Sequence, residues 1–187
     1  MTTKLDAINT MLECVGQSPL QTLQGTKSYY TVTAIHILEK ECQRVLLVGW
    51  DFNTDERFEL KPDTNKHINI SPDMLQVQLP ELFRNRYVQR YNKLYDKIDH
   101  TFEIKENIPC RIIRSFDFDD IPENFKHYVA ISSAYKFCKR VLGSESACTY
   151  TREDVQQAYN DLLGYELETG NYSLIPEMRN GTVRGDI

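Results

Sequence analysis

Apolar residues near the start of the chain repeat at intervals of three and four, which is the spacing of one face of a helix. The first predicted helix follows Thr3, which forms a capping-box pattern with Asp6, and it stops at Gly16. A second helix is predicted over residues 32–46. The amino-terminal part of the chain is therefore expected to be helical.

Two more helices are predicted in the second half of the chain. One follows Pro122, carries apolar residues at helical spacing and stops at Gly143. The other begins after Thr151 and stops at Gly170. Residues 171–187 show no sustained period, which predicts an extended tail that needs a partner to become ordered.

Between residues 49 and 115 the apolar period changes to alternation, which predicts short strands separated by turns. Helices, then strands, then helices indicate an α+β fold and not the alternating order of a nucleotide-binding fold. We expect one domain over residues 1–187, with a mainly α-helical four-helix core at 3–46 and 122–170, an inserted antiparallel β region at 49–115 and an extended C-terminal tail. The alternating apolar positions are Trp50, Phe52, Phe58, Leu60, Ile68, Ile70, Leu75, Val77, Leu79, Phe102 and Ile104.

Composition narrows the classes of function. A chain of 187 residues, 41% of them hydrophobic, is long enough to bury a core, and a net charge of -5 argues against a general nucleic-acid binder. The five cysteines and four histidines are dispersed, so we expect reduced thiols and no metal or cofactor. No apolar run resembles a signal peptide or a membrane span, which predicts a soluble protein made in a cytoplasm. The common glycine-rich nucleotide loops and the GxSxG elbow are absent, which removes the commonest hydrolase and nucleotide-binding mechanisms.

Four carboxylates lie close together directly before the third helix: Asp117, Asp119, Asp120 and Glu123. Such a cluster could bind a divalent cation or share acid and base roles in a glycan hydrolase. The calcium-loop pattern lacks its glycine and closing glutamate here, whereas Pro122 suits a first helical turn. We therefore favour a helix start, in which Asp120 caps free amides and Glu123 lies at the positive end of the helix dipole.

A basic and aromatic segment spans residues 83–97. Cations interleaved with flat rings could bind single-stranded nucleic acid through phosphate attraction and base stacking. The same segment could be a solvated two-stranded ribbon, or a helix with three tyrosines on one face, and periodicity does not separate these structures. Its basic and aromatic members are Arg84, Arg86, Arg90, Lys93, Lys97, Tyr87, Tyr91 and Tyr95.

Three blocks of sequence resemble the tail tubular protein A family, the adaptors or gatekeepers that join the portal to the tail nozzle in short-tailed bacteriophages. Residues 5–25 resemble the family's opening helix with its Gly-x-x-Pro stop and TLEG-like turn. Residues 49–63 are similar to its Gly-Trp-x-Phe-Asn strand, and residues 71–77 follow that strand. Residues 111–145 resemble its RDYDEMPE-like start of an aromatic helix. The blocks stand in the family's order over nearly the whole chain.

The resemblance implies a structural, non-enzymatic protein of the virion. It implies a ring, expected to be a dodecamer, that binds beneath the portal, extends the DNA channel and forms the docking platform for the nozzle. The expected partners are the portal protein, the tail nozzle protein (tail tubular protein B) and other copies of the chain, and contact with tail fibres is also allowed. DNA only passes through the lumen, which fits the acidic balance, and assembly is expected in the host cytoplasm without a membrane partner.

The resemblance also favours a hairpin at residues 87–97, which we expect to face the nozzle, and a tail that docks onto the portal. The family's glycine pair at the turn is replaced here, and of the turn residues only Asn92 readily accepts a left-handed conformation. The nozzle-facing residues are expected to be Arg86, Tyr87, Arg90, Tyr91, Asn92, Lys93 and Tyr95. The portal-docking residues are expected to be Tyr172, Leu174, Ile175, Met178, Arg179, Val183 and Arg184.

Overall fold

A computed structural model describes residues 1–25, 27–143 and 148–169 and has an α+β fold. Helices pack at both ends of the chain, and antiparallel strands lie between them, as predicted. The helices are α1 (Lys4–Glu13), α2 (Tyr29–Leu46), the short α3 (Glu81–Arg84), α4 (Glu123–Leu142) and α5 (Arg152–Thr169). The strands are β1 (Thr54–Leu60), β2 (Met74–Gln78), β3 (Tyr87–Arg90), β4 (Lys93–Asp96) and β5 (Ile108–Arg114).

The helical core is organised around α4, which packs against α1, α2 and α5. The capping box predicted for α1 is present: the amide of Asp6 donates to Oγ1 of Thr3 at 3.1 Å. Gly143 ends α4 with a φ of 68°, a left-handed conformation that glycine adopts without steric cost. Local signals in the sequence therefore set both of these helix ends.

Helix α2 begins three residues before the predicted position at Val32. Ser28 is its cap, and its Oγ accepts the amide of Thr31 at 3.2 Å. Tyr29 is 71% exposed, and the first turn is buried through Thr31, which is 2% exposed and which the apolar period does not count. The cap, and not the apolar period, determines where this helix begins.

In the part of the chain that the structure describes, five strands form two antiparallel sheets. The first has the order β1-β5-β2, and the second is the hairpin of β3 and β4. Together with the adjoining loops they bury a second apolar cluster whose largest fully buried members are Ile68, Leu94, Ile104, Ile108 and Ile112.

Three of the predicted strands are wrong, and the one at Phe102 and Ile104 has only isolated bridges at Thr101 and Glu103. Trp50 and Phe52 lie at a 3-10 turn (Asp51–Asn53), and β1 starts only at Thr54. Ile68 and Ile70 belong to no strand. The carbonyl of Ile68 nevertheless accepts the amide of Leu94, and the amide of Ile70 donates to the carbonyl of Asn92, both on the hairpin. In all three places alternation reflects burial of every second side chain without a continuous ladder.

Asn53 causes the turn and joins the helical part to the sheet. Its Nδ2 donates to the carbonyl of Leu46 at the end of α2 and to the carbonyl of Arg114 at the end of β5, both at 2.9 Å. Its Oδ1 accepts the amide of Trp50 at 2.8 Å, and the residue is only 1% exposed. One buried amide side chain therefore links the end of α2 to the end of β5.

Candidate functional site

The hairpin of β3 and β4 is held at its base by charged side chains. Arg86 donates to Asp96 and to Asp99, each at 2.7 Å. Asp96 is 2% exposed, and its second oxygen accepts the amides of Ile98 at 2.8 Å and Asp99 at 3.1 Å. Burial acts to raise the pKa of Asp96, but these hydrogen bonds outweigh it and hold the pKa below its ordinary value. Arg86 is thus committed to positioning the hairpin.

The hairpin turn consists of two residues, because Arg90 pairs directly with Lys93. Tyr91 has a φ of 50° and Asn92 a φ of 57°, the pair of positive values that a type I′ turn requires. Asparagine tolerates this conformation, whereas a residue such as tyrosine loses about 1–2 kcal/mol in it. Strained residues of this kind cluster at functional sites, and the Tyr91 ring is 89% exposed. The turn therefore exposes an aromatic side chain, although the backbone conformation at Tyr91 is unfavourable for it.

The tyrosines of the segment do not share one face, so the helical interpretation is wrong. Tyr87 is 4% exposed on the inner face of the hairpin. Tyr95 lies on the other face, where the guanidinium of Arg90 is 4.1 Å from its ring centroid. Lys93 is on that face too, with Nζ 3.3 Å from Nδ1 of His67. A stacking platform of three tyrosines is therefore not formed, and the ribbon interpretation is confirmed.

The acidic residues that position the hairpin were not singled out by the sequence. Besides Asp96 and Asp99, Glu106 accepts a hydrogen bond from the Tyr87 hydroxyl at 2.7 Å. Burial and this bond raise the pKa of Tyr87 to about 12, so the hydroxyl stays protonated. The only local signal was the YDKID string, in which an aspartate can accept amides two and three residues later.

The carboxylates before α4 contact the start of α1. Oδ1 of Asp119 accepts the amide of Lys4 at 2.6 Å, and Oε1 of Glu123 accepts the amide of Thr2 at 2.8 Å. The first amides of a helix have no partner within it, so Asp119 supplies one for α1. Glu123 stands in the first turn of α4, as predicted, whereas Asp119 bonds the first turn of a different helix, α1.

The prediction that Asp120 caps α4 is wrong. The cap position is occupied by Pro122, and no side chain of the described residues bonds the first amides of this helix. Asp120 is exposed at the end of a 3-10 turn (Phe118–Asp120), and Ile121 and Pro122 separate it from those amides. In the part of the chain that the structure describes, no group of three or more His, Cys, Asp or Glu side chains is arranged to bind a metal ion.

The portal-docking residues at 172–184 lie outside the described residues. Among the described helices, none is long and apolar enough to cross a membrane.

Comparison with known proteins places the chain in a family. The profile of the family described as Tail tubular protein matches residues 5–172. Tail tubular protein A of Klebsiella phage KP34 is 26% identical to the chain over 151 residues, which cover 80% of each protein. The family match includes both apolar clusters and the hairpin. The chain therefore belongs to the tail tubular protein family and is a structural protein of a phage tail.

Proposed function

We propose that this protein is the adaptor between the portal and the tail nozzle of a short-tailed phage. Copies of the chain form a closed ring, a dodecamer, beneath the portal and continue the channel for DNA. Such a ring needs two different contact faces on each subunit. The role is structural and not enzymatic, and it is supported by membership of the tail tubular protein family.

We assign the nozzle contact to the tip of the hairpin. The observation that carries this assignment is the 89% exposure of Tyr91 at a turn whose base is fixed by Arg86, Asp96 and Asp99. A rigid hairpin with an exposed aromatic end resembles the aromatic anchors that dominate binding energy at protein interfaces. The acidic net charge of -5 fits a ring through which DNA passes without being held.

The test mixes the purified chain with its portal protein and then with the nozzle protein, and follows assembly by electron microscopy. We expect rings on the portal for the natural chain and for Tyr91→Asn, but loss of nozzle binding in Tyr91→Asn, because the substitution keeps the turn and removes the ring. Tyr29→Asn is the matched control, since Tyr29 is also exposed, at 71%, but lies on α2. A folded chain that forms no ring on the portal would refute the adaptor proposal.

We assign the portal contact to residues 171–187, on the resemblance alone. A chain that ends after Thr169 keeps every helix and strand that the structure describes. We expect it to remain folded and to lose portal binding, which co-sedimentation with portal rings measures. Undiminished binding of the truncated chain would exclude this assignment and would leave the hairpin assignment unaffected.

A further inference from the structure

A cleft of about 460 Å³ lies between the edge strand of the three-stranded sheet and the hairpin. Its volume is in the range of ligand clefts, which is about 300–1,000 Å³. Val77 and Leu79 line it on the β2 side, and Val88 and the buried Leu94 line it on the hairpin side. The Tyr91 tip does not line it, so the cleft is separate from the proposed nozzle contact.

The edge of β3 that is turned away from β4 has free hydrogen-bonding groups. In an antiparallel pair, opposite residues either bond each other or both point away. Leu94 sends its amide away from β3, to the carbonyl of Ile68 at 3.0 Å. Its partner in the register is Gln89, so the amide and carbonyl of Gln89 also point outward. Within the described residues, no hydrogen bond is made to the backbone of Gln89.

The charged side chains that line the cleft are basic. Arg84 and Lys97 line it, and no carboxylate is among the lining residues in the described chain. The Arg84 side chain is 66% exposed and only 3.8 Å from that of Glu81, a pair that contributes little. Lys97 is exposed as well, with Nζ 3.5 Å from the carbonyl of Arg84. Arg86, in contrast, is already paired with Asp96.

We propose that the cleft binds an extended segment of a partner protein, with alternating acidic and apolar residues, which adds a strand to the free edge of β3. Main-chain hydrogen bonds to Gln89 provide the pairing, as in other cases of strand addition. The apolar side chains pack on Val77, Leu79 and Leu94. The acidic side chains face Arg84 and Lys97 at the rim. The proposal holds whether or not the hairpin tip contacts the nozzle.

The probe is a synthetic peptide of about eight residues that alternates Glu and Val, and a peptide that alternates Lys and Val is the control. Binding to the full chain is followed by calorimetry, and amide hydrogen exchange is followed by NMR. We expect binding of the acidic peptide only, with slowed exchange at the amide of Gln89. Binding of neither peptide, or of both equally, would overturn the proposal.

Gln89→Pro tests the backbone pairing, because it removes an outward amide that the hairpin's own ladder does not use. We expect about tenfold weaker peptide binding, whereas Gln89→Ala, which keeps the amide, should bind like the natural chain. Equal binding by these two variants would contradict strand addition. Self-association that Gln89→Pro abolishes would also contradict it, because the occupant would then be a second copy.

The double substitution Arg84→Glu with Lys97→Glu keeps the proposal testable if Gln89→Pro does not fold. Both side chains are exposed, so we expect a folded hairpin. The preference should reverse, so that the basic peptide binds and the acidic one does not. An unchanged preference for the acidic peptide would refute the charge assignment.

Discussion

Glu41 is the residue where the stability of the helical core depends most directly on charge. It is 3% exposed between α2 and α4, and it accepts hydrogen bonds from Arg44 at 2.5 and 3.0 Å, from Ser132 at 2.6 Å and from Lys136. Burial acts to raise its pKa, but these donors outweigh it and lower the pKa to about 2. A carboxylate whose pKa is lower in the folded chain than in the unfolded chain stabilises the fold fully when the pH is above the unfolded pKa. This contribution is lost as the pH falls from the unfolded pKa to the folded pKa.

We therefore expect Glu41→Gln to lower the free energy of unfolding by about 2–3 kcal/mol at pH 7. The difference from the natural chain should stay constant down to about pH 5 and vanish as the pH approaches 2. Urea unfolding at a series of pH values measures it. Glu168→Gln, an exposed change of the same kind on α5, serves as control and should show no such difference. A difference independent of pH would show that Glu41 does not act through its charge.

Tyr91 leads to the opposite prediction, because its backbone conformation is unfavourable for its side chain. Tyr91→Asn should raise the free energy of unfolding by about 1 kcal/mol, since asparagine accepts a positive φ more readily. Thermal unfolding of both chains measures the change. Gln89→Asn is the control, because the same new residue on an extended strand gives no gain. A less stable Tyr91→Asn chain would mean that the ring makes contacts that outweigh the strain.

At the scale of elements, the end of α2 approaches β5 too closely for a side chain at Gly49. This residue has a φ of 79°, and a Cβ placed there would lie 2.7 Å from Cδ1 of Ile113. Gly49→Ala should cost about 2–3 kcal/mol, through the backbone conformation and the clash together. Gly16 has a φ of 70° but no atom near the position of an added Cβ. Gly16→Ala therefore measures the cost of the backbone conformation alone, which we expect to be about 1 kcal/mol.

Ile113→Val separates the two parts of that cost, because it removes the methyl group that the new Cβ would meet. The double variant Gly49→Ala with Ile113→Val should be more stable than the sum of the two single changes predicts. Chemical unfolding of the four chains measures this coupling. Strict additivity would show that the close approach does not limit the packing of α2 against β5.

How far the elements could be predicted depends on whether their causes are local. Thr3 with Asp6 and the glycine at 143 act within a few residues, so the helix ends they set were visible in the sequence. The turn at Trp50 was not, because Asn53 makes it by bonding Leu46 and Arg114, the latter 61 residues away.

In the candidate site, too, some features have local causes and others depend on residues far apart in the sequence. The turn at Tyr91 was expected from the resemblance, because tyrosines spaced by four fit a helix face and a hairpin equally well. The residues that hold the hairpin were missed, since the pairing of Arg86 with Asp96 exists only once the two strands are aligned. The role of Glu123 in the first turn of α4 was predicted because it is local, whereas the bond of Asp119 to Lys4, 115 residues away, was not.

For the whole molecule, the question is whether the helical core and the β region unfold together. The two apolar clusters are separate, but Asn53 bonds the end of α2 and the end of β5, and the amide of Asp51 donates to the buried Glu166 of α5 at 2.7 Å. Buried polar groups that lose their partner cost about 1–3 kcal/mol each, so these bonds can couple the clusters. We therefore expect a single unfolding transition for the natural chain.

Asn53→Ala should split that transition, because it leaves the carbonyls of Leu46 and Arg114 without the amide that joins them. The single tryptophan, Trp50, packs on Phe125 at 5.1 Å and reports the helical core by its fluorescence. Amide exchange at the buried Leu94 reports the β region. In the Asn53→Ala chain, the Leu94 amide should lose its protection from exchange at a lower urea concentration than the one that changes the Trp50 fluorescence. In the natural chain the two changes should occur at the same urea concentration. Asn65→Ala, a change in an exposed loop, is the control and should behave like the natural chain. If Asn53→Ala shifts both signals equally, the clusters are coupled by packing across their boundary and not by this side chain.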